Sequence, residues 1–200
     1  MHQLPKHSVY FRNLLITKGN LTEHRLVYPF FHQAVHFAYS QGFLDPISHK
    51  IVTSVSDLAV VPCALLSLFL VRFSELCFFN FHDLRSKKRI RIHQPKTGKD
   101  KYYDNTFIFD ALKNYHNDFR SPLICISYDN LRRQIQLAKR HCGLRMPKLC
   151  MDETHIFRHL VASYLNYLDV SMDSISKRLG HTDNQSTLSY IHDWKEISNL

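Results

Sequence analysis

The sequence predicts a mainly α protein with a small antiparallel β-sheet, an α+β fold. Three observations lead there: only five glycines in 200 residues, long stretches with apolar residues at helical spacing, and one short stretch of strict alternation followed by a turn. In chain order, Thr22–Tyr39 has the first helical pattern, with Thr22 or Asn20 placed to cap it, and Gly42 to Pro46 forms the turn that closes it. A strongly apolar helical region runs from Leu58 to Phe79, in which Arg72 and Glu75 stand three apart and share one face. A buried arginine there needs a partner or an anion. Alternation over Arg89–His93 reads as a strand, Gln94–Lys99 as a turn with Lys96 at its tip, and Lys101–Tyr103 as the return strand. Asp110–Phe119 and Asp129–His141 read as further helices, the second capped by Asp129 and followed by Gly143. The remainder holds helices over about Asp152–Leu168 and Asp173–Leu179, the latter ending at Gly180, and a third around Tyr190.

Composition narrows the functional classes. Lysine and arginine outnumber aspartate and glutamate by 26 to 17, giving a net charge of +9 and a pI near 9.4, which suits a polyanionic partner such as nucleic acid and, on charge alone, equally a solvated basic surface. Five cysteines without a C-x-x-C pair argue against a disulfide framework and a thiolate zinc site. The longest apolar run, Leu58–Val71, is too short to span a bilayer, contains Pro62 and leads into Arg72. The first residues, MHQLPKHSVYFRN, lack the apolar run of an export signal. A cytoplasmic, nucleoid-associated protein without a membrane partner is the expectation.

The chemistry concentrates near the carboxyl terminus. In Thr154-His155-Ile156-Phe157-Arg158-His159, His155 and Arg158 stand three apart on one helical face, a switchable proton carrier beside a permanent cation. Leu179-Gly180-His181 presents a second histidine from a helix end, and Tyr190 follows nine positions later. An arginine, a hairpin lysine, H-x-x-R, L-G-H and a tyrosine in this order resemble the tyrosine recombinases, the phage (lambda) integrase family. R-F-S-E-L at Arg72–Leu76 is similar to the family's first-arginine motif, Asp83 stands where its trailing acidic residue falls, and K-T-G-K opens at Lys96 with the family's hairpin lysine. The resemblance covers about Leu58 to His192. Two positions depart from it: Leu70 and Asp169, where many members have glycine. Aspartate tolerates the left-handed backbone of a helix cap.

The resemblance implies a catalytic domain over 51–200 behind a truncated or miniature helical core-binding segment over 1–50. It implies site-specific cleavage and rejoining of DNA, with Tyr190 attacking phosphorus to form a 3′-phosphotyrosyl ester. Arg72, Arg158, His155 and His181 would hold the phosphate, and Lys96 would protonate the departing 5′ oxygen, although Lys99 and Lys101 compete for that role. A phenol with an ordinary pKa near 10 needs a base, and His155 leads. Glu75 is expected to orient Arg72 or a histidine; the two also fit a simple structural ion pair. Two arginine forks can bind the nonbridging oxygens without a metal, so neither cofactor nor metal is expected. A metal site from His155, His159 and His181 is the contrasting reading, opposed by the arginine in its midst. Expected partners are double-stranded DNA, gripped by Arg85, Lys87, Lys88, Arg132, Arg133, Lys139 and Arg140, a homotetramer on two DNA sites, and accessory DNA-bending proteins. The short amino-terminal part motivates one alternative, an inactive or accessory DNA-binding relic of the fold. In the tail, Trp194 and Ile197 either anchor to a neighbouring subunit or fold back on their own core.

Overall fold

The computed structural model describes residues 21–76, 78, 79, 81–94, 98–104, 106–112, 126–143 and 152–198. Helix α1 spans Leu21–Ser40, α2 Pro46–Ser54 and α3 Asp57–Phe69. Phe31, Ala34, Val35 and Ala38 repeat at helical spacing and are buried, which lays α1 along α3. The residues from Ala59 to Ser67 are all buried, so α3 is covered on every side. It is a core helix, as its apolar run predicts; no helix among the described residues is long and apolar enough to cross a membrane.

Short helices α4, Phe73–Leu76, and α5, Phe81–Ser86, lead into a two-stranded antiparallel sheet of β1, Arg89–Gln94, and β2, Lys99–Asp104. Ile90 pairs with Tyr103, Ile92 with Lys101 and Gln94 with Lys99. Along β1 exposed and buried residues alternate, so Ile90, Ile92 and their cross-strand partners face the core. The architecture is mainly helical with one small antiparallel sheet.

Helices α6, Thr106–Leu112, and α7, Tyr128–His141, follow. The first begins before the expected Asp110, and the rest of that expected helix, along with Lys96, lies outside the described residues. Helix α7 starts one residue earlier than expected because Ser127 caps it through its side chain, accepting from Asn130 N; Asp129 sits inside the first turn instead. A 3₁₀ turn over Glu153–His155 runs into α8, Ile156–Tyr167, whose Phe157, Leu160, Val161 and Ala162 are fully buried. Then come α9, Met172–Leu179, α10, Asn184–Leu188, and α11, Trp194–Ser198. Tyr190 lies in the turn just after α10, not within a helix. Trp194 and Ile197 are buried, with the indole 5.1 Å from the Tyr164 ring of α8: the tail folds back on its own chain.

Hydrophobic contacts make one core that includes residues of α1, α2, α3 and α8. A boundary drawn at residue 50 therefore falls inside α2, and α1 shares the core of everything after it.

Among the described residues, Leu70 (φ 53°) and Asp169 (φ 58°) are the non-glycine residues with left-handed backbones. They are the two positions at which the sequence departs from the recombinase pattern, and the geometry explains why glycine suits them. Each ends a helix: Leu70 caps α3, and Asp169 N bonds Asn166 O at 3.1 Å past the end of α8. Asp169→Gly should raise stability by a few tenths to about 1 kcal/mol, since an exposed side chain is removed with the strain. Leu70→Gly should instead destabilise by about 1–3 kcal/mol, because the leucine is fully buried and its lost packing outweighs the relief. Urea melts of both variants measure the contrast.

Asp45 caps α2 through Oδ1, which accepts from Ser48 N at 2.7 Å, while Oδ2 is buried without a hydrogen-bond partner among the described residues. Burial pushes its carboxyl up to about 6, against the pull of the Ser48 and backbone bonds. A raised carboxyl pKa means that the native state holds its proton more tightly than the unfolded chain. The associated stability is present below about pH 4 and is lost as pH rises through about 6, on the order of 2–3 kcal/mol. Asn keeps the cap but cannot titrate, so Asp45→Asn should flatten that fall relative to wild type when melts are compared from pH 4 to 7.

Candidate active site

The site grows from the end of α3. Leu70's left-handed turn is followed directly by Val71 and Arg72, with α4 behind them. Arg72 N donates to Glu75 Oε2 at 3.1 Å and Arg72 Nη1 to Oε1 at 3.2 Å. Glu75 also accepts from Gln94 Nε2 at 2.7 Å and from the Tyr103 hydroxyl at 3.0 Å. Burial alone would raise this carboxyl, but the bonds from Arg72 N and Gln94, the Arg72 charge and the Tyr103 bond together hold it below its ordinary value. The expected ion pair thus exists, and it does more than pair two charges: it ties the first arginine to both strands of the hairpin.

Arg158, on the first turn of α8, is almost wholly buried. Its Nη1 donates to Leu70 O, and its Nη2 reaches Leu179 O at 3.0 Å and His181 Nε2 at 2.9 Å. Nε has no hydrogen-bond partner among the described residues. Gly180 ends α9 in a left-handed conformation (φ 69°), with its N bonded to Lys177 O and His181 N to Ser176 O, which turns the His181 ring toward Arg158.

The His181 tautomer follows from its neighbours. An arginine can only donate, so Nε2 accepts and Nδ1 carries the proton, given to Thr187 Oγ1 at 3.0 Å. Burial, then the charges of Arg158, Lys101 and Arg72, pull its pKa down to about 4, so the ring is neutral near pH 7. His159 behaves alike: burial, His192, His155 and Arg158 bring it down to about 4.

Tyr190 is packed among these groups. Its ring centroid lies 4.7 Å from that of His159, 5.2 Å from that of His181 and 4.9 Å from the Arg158 guanidinium carbon. Ser163 Oγ donates to Tyr190 O at 3.3 Å and accepts from His192 N at 2.9 Å, while His192 Nε2 meets His159 Nδ1 at 2.9 Å. His155 closes the 3₁₀ turn that Asp152 caps, through bonds from Thr154 N and Oγ1 and from the Tyr128 hydroxyl.

The structure therefore brings Arg72, Glu75, Arg158, His181 and Tyr190 together and sets His155 one turn before Arg158. Sequence reasoning missed Gln94, Tyr103, Ser163, Thr187 and His192, and left Lys101 as a competitor only. Strand parity was the available signal for Lys101 and Tyr103, which face the core with Ile92 and Ile90. For Ser163 the signal was its position one turn after His159. Of the basic residues expected on the DNA face, Lys87 pairs with Asp83 at 2.5 Å, Lys139 with Glu153 at 2.7 Å, and Lys88 lies over the Phe109 ring; Arg132, Arg133 and Arg140 are exposed on α7 and Arg85 is half-buried on α5. Among the described residues no group of three or more His, Cys, Asp or Glu side chains is arranged to hold a metal ion, and His181 turns its free nitrogen to an arginine.

The chain is similar to a tyrosine recombinase. That protein, from Agathobacter rectalis, is 26% identical over 168 residues, which cover 77% of this chain and 53% of the relative. The chain thus spans about half the length of the curated relative it matches. The likeness supports a place among the tyrosine recombinases at family level. No family model and no solved structure matches the chain.

Glu75→Gln should cost about 2–4 kcal/mol, because it replaces an acceptor of four hydrogen bonds with a group that must also donate, and strips Arg72 of its countercharge. Thermal melts of this variant against wild type test it; a loss below about 1 kcal/mol would contradict the assigned network.

Proposed function

We propose that this chain is a site-specific DNA recombinase that cleaves and rejoins DNA through a 3′-phosphotyrosyl ester on Tyr190, without a metal. The observation that carries the reading is the unmatched positive charge beside the Tyr190 ring. The Arg158 guanidinium carbon lies 4.9 Å from the ring centroid, the Arg72 charge acts on Arg158 and on His181, Glu75 is already engaged by Arg72, Gln94 and Tyr103, and Arg158 keeps a buried Nε with no hydrogen-bond partner among the described residues. Such a pocket favours an anion, and a phosphodiester passing through a five-coordinate transition state gains charge on its two nonbridging oxygens. Two guanidinium forks can hold those oxygens and keep their charge throughout.

In this reading Tyr190 is the nucleophile and His155 its base. His181, neutral and bonded to Arg158, fixes the guanidinium's orientation and completes the phosphate pocket. A lysine of the hairpin, Lys96 by resemblance, protonates the leaving 5′ oxygen. In this reading residues 51–200 carry the catalytic groups, and the core-binding-like segment before them contributes α1 and the first residues of α2 to the same core. Exposed Arg132, Arg133 and Arg140, with Arg85, Lys87, Lys88 and Lys139, line the approach to DNA phosphates, and a homotetramer on two sites with DNA-bending accessory proteins is the working assembly.

Covalent capture tests this. Nicked duplexes tiled from DNA flanking the chain's own gene are incubated with the protein in EDTA, and denaturation-resistant complexes are sought. Wild type should form an adduct that Tyr190→Phe does not, and Arg158→Ala should lower adduct formation by about 10²–10³-fold while DNA retention falls only a few-fold. Salt-sensitive binding with no adduct would favour the DNA-binding relic, and adducts abolished by EDTA would refute the metal-free chemistry.

A further inference from the structure

We propose that Thr187, on the short helix α10, is a positioning residue of the site, whose hydroxyl holds His181 in the tautomer that can accept from Arg158. The inference rests on reading the site as a strand-transfer centre. Thr187 is fully buried, and its polar groups end on two members of the site. Oγ1 lies 3.0 Å from His181 Nδ1, and the carbonyl accepts from Tyr190 N at 2.9 Å. One residue therefore joins the imidazole to the backbone that enters the tyrosine, while Ser163 holds the backbone that leaves it.

Hydrogen-bond direction gives the hydroxyl its task. A guanidinium has no acceptor, so the 2.9 Å contact between Arg158 Nη2 and His181 Nε2 is a bond only while Nε2 is bare. A free imidazole populates both neutral tautomers, and the Nε2–H form would set two donors against each other. Burial and the neighbouring cations keep the ring neutral near pH 7, so the choice of tautomer, and not protonation, decides whether the bond survives. Nδ1–H needs an acceptor, and it faces a buried residue, where water does not readily replace a lost one.

A hydroxyl suits this role better than a carboxylate. An anion beside Nδ1 would raise the imidazole's pKa and favour an imidazolium, whose second proton would sit on Nε2 and face the guanidinium. The neutral hydroxyl fixes the tautomer and leaves the ring uncharged. Arg158 is then held at three points, Leu70 O, Leu179 O and His181 Nε2, and its plane is set before a phosphate arrives. Loosening one of the three should cost more in rate than in DNA affinity, because the contacts that matter most are made to charge that builds in the transition state.

The test has a spectroscopic arm and a kinetic one. Two-bond proton–nitrogen spectra of the free protein, with nitrogen-labelled histidine rings and His181 assigned by the signals lost in His181→Gln, should show a neutral Nδ1–H ring near neutral pH. Thr187→Val keeps the shape and removes the oxygen; it should move that ring to the Nε2–H form or to a mixture, and Thr187→Ser should keep the wild-type pattern. On the DNA site found by covalent capture, at saturating DNA, Thr187→Val should form adduct about 10–10²-fold more slowly while DNA affinity stays within a few-fold of wild type. Thr187→Ser should stay within a few-fold of wild type in both. An Nε2–H ring in the wild type would overturn the assignment without any variant having to fold. So would a Thr187→Val protein that keeps the Nδ1–H ring, or that changes tautomer at an unchanged rate, and so would a Thr187→Ser protein as slow as Thr187→Val, which marks a packing role. A wild-type protein that forms no adduct would refute the recombinase reading itself, while the spectra of the free protein still decide whether Thr187 sets the tautomer.

Discussion

The buried guanidinium of Arg158 is the interaction on which the rest depends. It joins the end of α3 through Leu70 O, the end of α9 through Leu179 O, and the His181 ring, segments that lie far apart in sequence. Taking such a cation out of water costs several kcal/mol unless its N–H groups find acceptors. Two of those acceptors are backbone carbonyls at helix ends, which lack intrahelical partners. The arrangement meets two needs at once: the helix ends gain a donor, and the arginine gains acceptors that carry no full negative charge. Its own positive charge is offset only in part, by the nearby Glu75 carboxylate. Leu70's backbone belongs to the same bargain, since a left-handed leucine costs roughly 1–2 kcal/mol, comparable with one charge-assisted hydrogen bond. The strained residue is the one whose carbonyl the arginine holds.

Charge is then rationed across the pocket. Glu75 neutralises part of what Arg72 and Arg158 bring, and His181 and His159 stay neutral because burial and the neighbouring cations make a further positive charge unfavourable. Neutral imidazoles can accept hydrogen bonds, and His181 does so from Arg158. A protonated ring in its place would repel the guanidinium and leave Nη2 short of an acceptor. The Tyr190 ring sits where these neutral rings and the guanidinium meet.

Much of the fold was legible because it rests on local rules. Apolar periodicity located α1, α3, α7 and α8, and alternation located the hairpin to within a residue or two. Capping was read less well: Asp129 and Ser127 are both good caps, and only the backbone decides which one turns non-helical. The site was legible as a set of residue types at fixed spacings, including Leu70 and Asp169, whose departures from glycine coincide with left-handed backbone. What stayed hidden were partners assembled by tertiary packing. Gln94 and Tyr103 look like ordinary strand residues until the sheet is laid on α4, and Thr187 has no reason to be singled out until His181 needs an acceptor. The extent of the core was hidden too, since nothing in the α1 sequence states that its apolar face meets α3 instead of a separate domain.

Ser163 illustrates how such packing governs chemistry without touching it. Its hydroxyl donates to the carbonyl of Tyr190 and accepts from the amide of His192, bracketing Ile191 and holding the backbone on the carboxyl side of the tyrosine. One turn earlier on the same helix, His159 packs at a tilt against the tyrosine ring and bonds His192, and one position before that is Arg158. A single rigid face of α8 therefore fixes the backbone, the ring plane and the electrostatic surroundings of Tyr190 together. Tyrosine has only two side-chain torsions, so once backbone and ring are held its oxygen has little freedom left. The same helix carries Tyr164, against which Trp194 packs, so the chain that follows the tyrosine is anchored to the same element. A side chain on a short turn can be held as firmly as one on a helix when the chain that follows it is bonded to a buried helix.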